Sequence, residues 1–197
     1  MSKIEQNRAI KRQAILDAAK QTFLTEGYTS ANMDKIAAQA KLTKQTLYRY
    51  FPSKIELFEA TLQQIGQDYD ERFSLHLTQE NSEQALIEFA NDFLTFHLSE
   101  EHLNTQRLLI AEAAQSPEIV ESFMTIGSNE TDQVLSEFFK QKLALENPES
   151  YIELWVGMLL APRSSALLGI KKLNHIQVRE HAIKATGLLL AAINHPR

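Results

Sequence analysis

Across 197 residues the chain is 44% hydrophobic, carries a formal net charge of −5 and contains no cysteine, which excludes disulfides and thiolate metal sites and suits a reducing cytoplasm. That length holds one substantial core, or a small module joined to a larger one. The N-terminal MSKIEQNRAIKRQAIL has no apolar signal core, and the longest uncharged apolar run, near Leu154 to Pro162, is far shorter than the roughly 18 residues a membrane span needs, so a cytoplasmic protein with no membrane partner is expected.

No segment alternates apolar and polar residues between turn dipeptides, whereas a 3.6-residue period recurs nearly throughout, so the expected fold is all-α, with about nine helices. In the first helix Ile15, Ala18, Ala19 and Phe23 make one stripe, and Gly27 supplies a left-handed stop with Tyr28 available for the capping contact. Asn32 is a natural N-cap for a short second helix, MDKIAAQA, with Asp34 in its first turn. After Lys41 and Leu42, Thr43 can cap a third helix, KQTLYRYF, which Pro52 stops because the residue before a proline disfavours helical dihedrals. Ser53 and Glu56 form a capping box opening a long fourth helix, whose stripe of Phe58, Leu62, Ile65, Tyr69 and Phe73 keeps one face apolar.

Beyond it, Asn81 or Ser82 starts a helix carrying Leu86, Phe89, Phe93 and Phe96, and another runs through QRLLIAEAA. Ser116-Pro117-Glu118 opens the next, where Gly127-Ser128-Asn129 leaves room for an interruption. A helix following Asn147-Pro148-Glu149 should kink at Pro162 and end at Gly169, and the last spans about His175 to Asn194.

Charge divides the chain unevenly. Residues 1 to 54 carry ten Lys/Arg against four Asp/Glu, whereas residues 55 to 197 carry ten against 21. A basic head on an acidic body points to a polyanion for the head, since cations that neutralise phosphates release condensed counterions. Within the head, TKQTLYRYFPSK at residues 43 to 54 has three cations, three aromatics and no acid. On a helical wheel Leu47 and Phe51 share one side, with Arg49 opposite and Gln45 and Thr46 flanking it. Two short helices and a tight turn, the second anchored by apolar residues and offering polar groups outward, make a helix-turn-helix suited to a B-DNA major groove about 12 Å wide. Arg49 and Gln45 suit bidentate contacts with base edges, while Thr43, Lys44, Tyr48, Tyr50 and Asn32 suit phosphates. Lys54, in the first turn of the fourth helix, is placed for a phosphate as well.

The run KRQAILDAAKQTFLTEGYTSANMDKIAAQAKLTKQTLYRYFPSKIELF resembles the N-terminal domain of TetR/AcrR-type transcriptional regulators over about residues 9 to 58, departing at Lys41, where that family often has glycine. RLLIAEAAQSPEIVESF, residues 107 to 123, resembles a C-terminal domain found in part of the family. The resemblance implies a helix-turn-helix at about 32 to 51 within a DNA-binding domain over 9 to 69, and a larger effector-binding and dimerisation domain over 70 to 197. It assigns DNA contacts to Lys44, Gln45, Thr46, Tyr48, Arg49, Tyr50 and Lys54, and implies a dimeric repressor that a small molecule releases from a pseudo-palindromic operator.

Independently of that likeness, helices 148 to 169 and 175 to 194 are apolar on more than one face, as expected if both join a bundle between two copies. Candidates lining an effector pocket are Tyr69, Phe73, Phe89, Phe93, Phe96, Phe123, Met124 and Trp155, with Arg107 and Glu112 as polar anchors. An enzyme is the weaker reading: no histidine follows Glu by three residues, and there is no Gly-rich phosphate loop or nucleophile elbow, so no catalytic residue, metal or cofactor is expected. A helical DNA-binding or adaptor protein without sequence preference is the alternative function.

Overall fold

The computed structural model describes residues 2–194, apart from the side chains of residues 67–71 and 127–130. Among these residues every regular element is helical: α1 (Lys3–Glu26), α2 (Met33–Gln39), α3 (Lys44–Tyr50), α4 (Lys54–His76), α5 (Ser82–His97), α6 (Glu100–Glu112), α7 (Pro117–Lys142), α8 (Glu149–Leu159), α9 (Arg163–Leu167) and α10 (His175–Asn194). No described helix is long and apolar enough to cross a membrane.

Local chemistry sets most of these boundaries. Gly27, at φ 84°, stops α1, and its N–H still bonds the Phe23 carbonyl. The Asn32, Thr43 and Asn81 side chains each accept a backbone N–H in the first turn of the following helix, from Asp34, Thr46 and Gln84 respectively. At α4 the capping box is altered: Ser53 Oγ accepts the Glu56 N–H at 3.3 Å, but the Glu56 carboxylate takes the Ser53 hydroxyl, at 2.7 Å.

Two expectations are corrected. Pro162 does not kink one continuous helix; α8 ends at Leu159 and α9 begins at Arg163, because the proline cannot donate to the ladder and takes the cap position of a new helix. The backbone of α7 runs unbroken from Pro117 to Lys142, past Gly127, since one glycine costs a helix only about 1 kcal/mol.

The chain packs into two compact units, one of residues 1–66 with 104–126, the other of 67–103 with 127–197. In the first, Phe23, Tyr28 and Phe58 form an aromatic triangle with centroids 5.1 to 5.8 Å apart, around which Ile15, Leu16, Ile36, Leu47 and Leu57 are sealed. Leu109 and Ile119, from α6 and α7, belong to that core. The second unit has its own core, in which Phe89 lies 5.8 Å from Trp155 and the Phe139 ring 6.1 Å from it. A bidentate pair from Arg179 to Glu88, at 2.6 and 2.7 Å, ties α10 to α5, and the Arg179 bond holds the Glu88 carboxyl below its usual range.

Candidate nucleic-acid interface

The turn between α2 and α3 orients the third helix. Lys41 takes φ 56°, the left-handed conformation in which glycine costs least, and the sharp stop is fixed by two bonds: Lys41 N–H to the Ala38 carbonyl at 3.0 Å and Leu42 N–H to the Ala37 carbonyl at 2.9 Å. A lysine therefore makes the turn that its position demands, at a cost of about 1 kcal/mol.

From that turn α3 drives Leu47 (0% exposed) and Phe51 (5%) into the first core. Its opposite face is open. Gln45 and Arg49, one turn apart, are exposed, and neither side chain makes a hydrogen bond or ion pair with any described residue. Tyr48 is exposed beside them. Lys44 is exposed too, 2.9 Å from Asp34 and 5.9 Å above the Tyr48 ring. The hydrogen bond to Asp34 raises the Lys44 ammonium above its usual pKa, so it stays charged at any physiological pH. Thr43 is exposed and Thr46 half-buried, their hydroxyls 2.9 Å apart, while Tyr50 packs partly against the first core. Asn32 is exposed, with its carbonyl oxygen committed to the Asp34 N–H at 2.8 Å.

Lys54 stands in the first turn of α4, but its ammonium is turned inward. It donates to the carbonyls of Tyr28 at 2.8 Å, Thr29 at 3.1 Å and Ala31 at 3.4 Å, and lies 4.6 Å over the Tyr28 ring. Three donors and three acceptors fix the α1–α2 loop from one side. Within the same unit Glu112 fixes it from the other, accepting from the Thr29 N–H at 3.3 Å and from the Thr29 hydroxyl. Glycine suits position 27 because of its positive φ, whereas a Cβ there would meet only the carboxylate end of the Glu112 side chain, which can move aside. An open concavity lies here, bordered by Ser30, Asn32, Asp34, Lys44, Tyr48, Ser53 and Lys54, in which the Asp34 carboxylate already pairs with Lys44.

The candidate effector residues fall in both units. Phe73, Phe89, Phe93 and Phe96 meet ring to ring in the second unit, with centroid separations of 5.6 to 6.1 Å, and Trp155 stacks on Phe89. Arg107, Glu112, Phe123 and Met124 belong to the first unit; Met124 is 61% exposed and Glu112 is engaged with Thr29. Tyr69 lies outside the described residues. His97 and His102 also join the Phe93 and Phe96 cluster, their ring centroids 4.6 Å from each other. Their five-residue spacing would part them on one helix, and only the break at Leu98 and Ser99 between α5 and α6 lets them meet.

Comparison with known proteins agrees with this geometry. Residues 15–61 match the family model for bacterial regulatory proteins of the tetR family, and residues 84–147 match that for the C-terminal domain of AefR-like transcriptional repressors. The HTH-type transcriptional activator FasR of Mycolicibacterium smegmatis is 45% identical over 53 residues, 27% of this chain and 24% of that protein. The chain spans between about a quarter and three-fifths of the length of the curated relatives it matches. A crystal structure of a TetR-family regulator from Mesorhizobium loti superposes with a TM-score of 0.80 at 26% identity, covering 93% of this chain and 96% of the other. The fold is shared too by the flavonoid-responsive regulator FrrA, with a TM-score of 0.74 at 24% identity over 92% of this chain and 96% of that one. With family models of tetR-type regulators matching residues 15–61 and 84–147, a TetR-family structure superposing over 93% of the chain, and α2 and α3 built as a helix-turn-helix, the protein belongs to the TetR family of transcriptional regulators.

Proposed function

We propose that the protein is a cytoplasmic, sequence-specific repressor that binds a pseudo-palindromic operator as a dimer and is released from it by a small-molecule effector. The observation that carries the DNA-reading part is the pair Gln45 and Arg49, exposed and without protein partners on the outer face of α3. Left open to water, an amide and a guanidinium one turn apart can form the bidentate contacts with adenine and guanine edges that discriminate bases by about 1 to 3 kcal/mol each. Thr43, Lys44, Thr46, Tyr48, Tyr50 and Asn32 surround that pair with phosphate-binding groups, and Lys54 holds the loop that rims the concavity beside them. Residues 9–69 then serve as the DNA-binding domain and 70–197 as the effector-binding and dimerisation domain.

Dimerisation is supported by apolar surface on the last helices. Leu154 of α8 and Ile176, Ile183 and Leu188 of α10 are 46 to 70% exposed, and at Gly157 and Gly187 an added Cβ would meet open space. Large apolar side chains beside small residues suit close packing against a second copy. The match to AefR-like repressors supports the repressing sign, although FasR is an activator by name. The responsiveness that FrrA's name records supports a small-molecule effector, acting by linkage: a ligand preferring the form that does not hold DNA weakens operator binding, typically by 1 to 3 kcal/mol of coupling.

Selecting bound fragments from genomic DNA with the purified protein tests the reading. A pseudo-palindrome with half-sites about 34 Å apart is the expected result. Fragments recovered in proportion to their abundance, with no common motif, would contradict it and identify a DNA binder without sequence preference.

A further inference from the structure

The first half of α1 has no core to face. Residues 2–13 are all exposed, burial begins with Ile15 and Leu16, and the match to the tetR family model covers residues 15–61, so this stretch lies outside it. At 1.5 Å per residue, Lys3 to Gln13 carry the helix about 16 Å past the first core. The extension has a built start: Ser2 Oγ accepts the Glu5 N–H at 3.2 Å, and the Glu5 carboxylate accepts the Ser2 N–H at 2.7 Å.

Its charge is one-sided. Lys3, Arg8, Lys11 and Arg12 stand against a single acid, Glu5, which is engaged in the cap. Arg8, Lys11 and Arg12 are spaced i, i+3, i+4, and Ile15, Ala18 and Ala19 continue the same face into the core. A face that is apolar where it packs is thus cationic where it leaves the protein. Arg12 fixes where that face lies: its guanidinium is 5.6 Å from the centroid of the Phe51 ring, and Phe51 is the C-cap of α3, so the cations flank the end of α3. Arg8 and Lys11 make no hydrogen bond, ion pair or ring contact with any described residue. Clustered cations of this kind favour a polyanion, because each phosphate they neutralise releases a condensed counterion. An apolar partner fits poorly. Ile4 and Ile10, 81% and 66% exposed, lie about 120° apart around the helix and make no continuous stripe for another helix or a lipid surface.

We propose that the extended N-terminal half of α1 is a second DNA contact, in which Arg8, Lys11 and Arg12 hold phosphates on the flank of the base pairs that α3 reads. This rests on the DNA-binding reading and adds residues that neither the helix-turn-helix nor the family match contains. A contact made to phosphate is independent of sequence, so it raises affinity for operator and random duplex alike. An isolated helix of about eleven residues is marginal in water, and the duplex surface gives this one the packing partner it lacks.

Anisotropy titrations over a range of salt concentrations test the contact, comparing the full chain with a variant carrying Arg8→Gln and Lys11→Gln, two exposed substitutions that retain helix-forming residues. On a duplex with about ten flanking base pairs on each side, longer than the reach of the extension, the variant should bind about tenfold or more weakly, and its slope of log affinity against log salt should be shallower by about 2 per half-site. On a duplex trimmed to the half-sites the two proteins should bind alike. Unchanged affinity and slope on the flanked duplex, an equal loss on both duplexes, or an altered oligomeric state in sedimentation velocity with DNA affinity intact would each overturn the proposal. A scrambled duplex of the flanked length separates this contact from base reading by α3: the variant should weaken on it by the same factor as on the operator. A full chain with no preference between operator and scrambled duplex, but with the same flank-dependent loss in the variant, would uphold the phosphate contact and refute sequence-specific reading.

Discussion

Helices α3 and α10 both leave one face uncovered, and the two faces differ in chemistry. On α3 the bare face offers an amide, a guanidinium and a phenol, Gln45, Arg49 and Tyr48; on α10 it offers Ile176, Ile183 and Leu188 around Gly187. Both helices anchor their other side well, through Leu47 and Phe51 in one case and Val178, Ala182, Ala185 and Leu189 in the other. An uncovered polar face is at ease in water and can exchange water for a charged, hydrogen-bonding partner, whereas an uncovered apolar face costs free energy until another apolar surface meets it. The same surplus of surface thus points to a duplex at one helix and to a second copy of the chain at the other.

The largest expected effect comes from spoiling the apolar face. Leu188→Glu places a charge in each half of the proposed interface, so sedimentation velocity should show a monomer. Operator affinity should then fall by about a hundredfold or more, as bivalent attachment is lost. A dimer of unchanged affinity would remove α10 from the interface. Next comes the anchor of the polar face. Leu47→Ala leaves a cavity beneath α3 and should lower unfolding stability by about 2 to 5 kcal/mol in urea titrations, a loss far beyond that of an exposed substitution such as Gln45→Ala.

A third test concerns the buried rings of the second unit. His97 and His102 stay neutral in the folded chain down to about pH 4 and 3, while in the unfolded chain each takes a proton near pH 6.5. Both folded pKa values lie below the unfolded one, so the unfolded state binds more protons between them. Stability is complete above pH 6.5 and falls as pH drops towards 4, by about 2 kcal/mol per ring at pH 5. Denaturant midpoints at pH 7.5 and 5 measure the loss, and His102→Gln should reduce it by roughly half. The smallest effect is expected at Lys54: Lys54→Met frees three carbonyls of the α1–α2 loop and should lower stability by about 1 kcal/mol, with faster amide exchange around Thr29.

Much of the first unit was legible in the sequence because its boundaries are set by neighbours in the chain. Gly27, Asn32, Thr43 and Pro52 act within a turn of their own positions, so each stop or cap could be read without the fold. Lys41 stood out only through the resemblance, as a departure from the family's glycine, and it takes φ 56°. What escaped was set by residues distant in sequence. The inward turn of Lys54 depends on carbonyls 23 to 26 residues earlier, and the Glu112 contact on a loop 83 residues earlier. The meeting of His97 and His102 depends on where α5 ends, at Leu98, which no proline or glycine marks. Pro162 was legible as a disruption, but whether it bends a helix or divides it is decided by the packing around it.

The central claim is that the open face of α3 reads base sequence through Gln45 and Arg49. Anisotropy titrations of the selected operator against a scrambled duplex, at one fixed salt concentration, test it most directly. The account predicts a preference of about a thousandfold or more for the operator, with Arg49→Ala losing about 1 to 3 kcal/mol of discrimination at one base pair per half-site while binding to the scrambled duplex weakens far less. Equal affinity for both duplexes, or an Arg49→Ala variant that weakens both by the same factor, would contradict it.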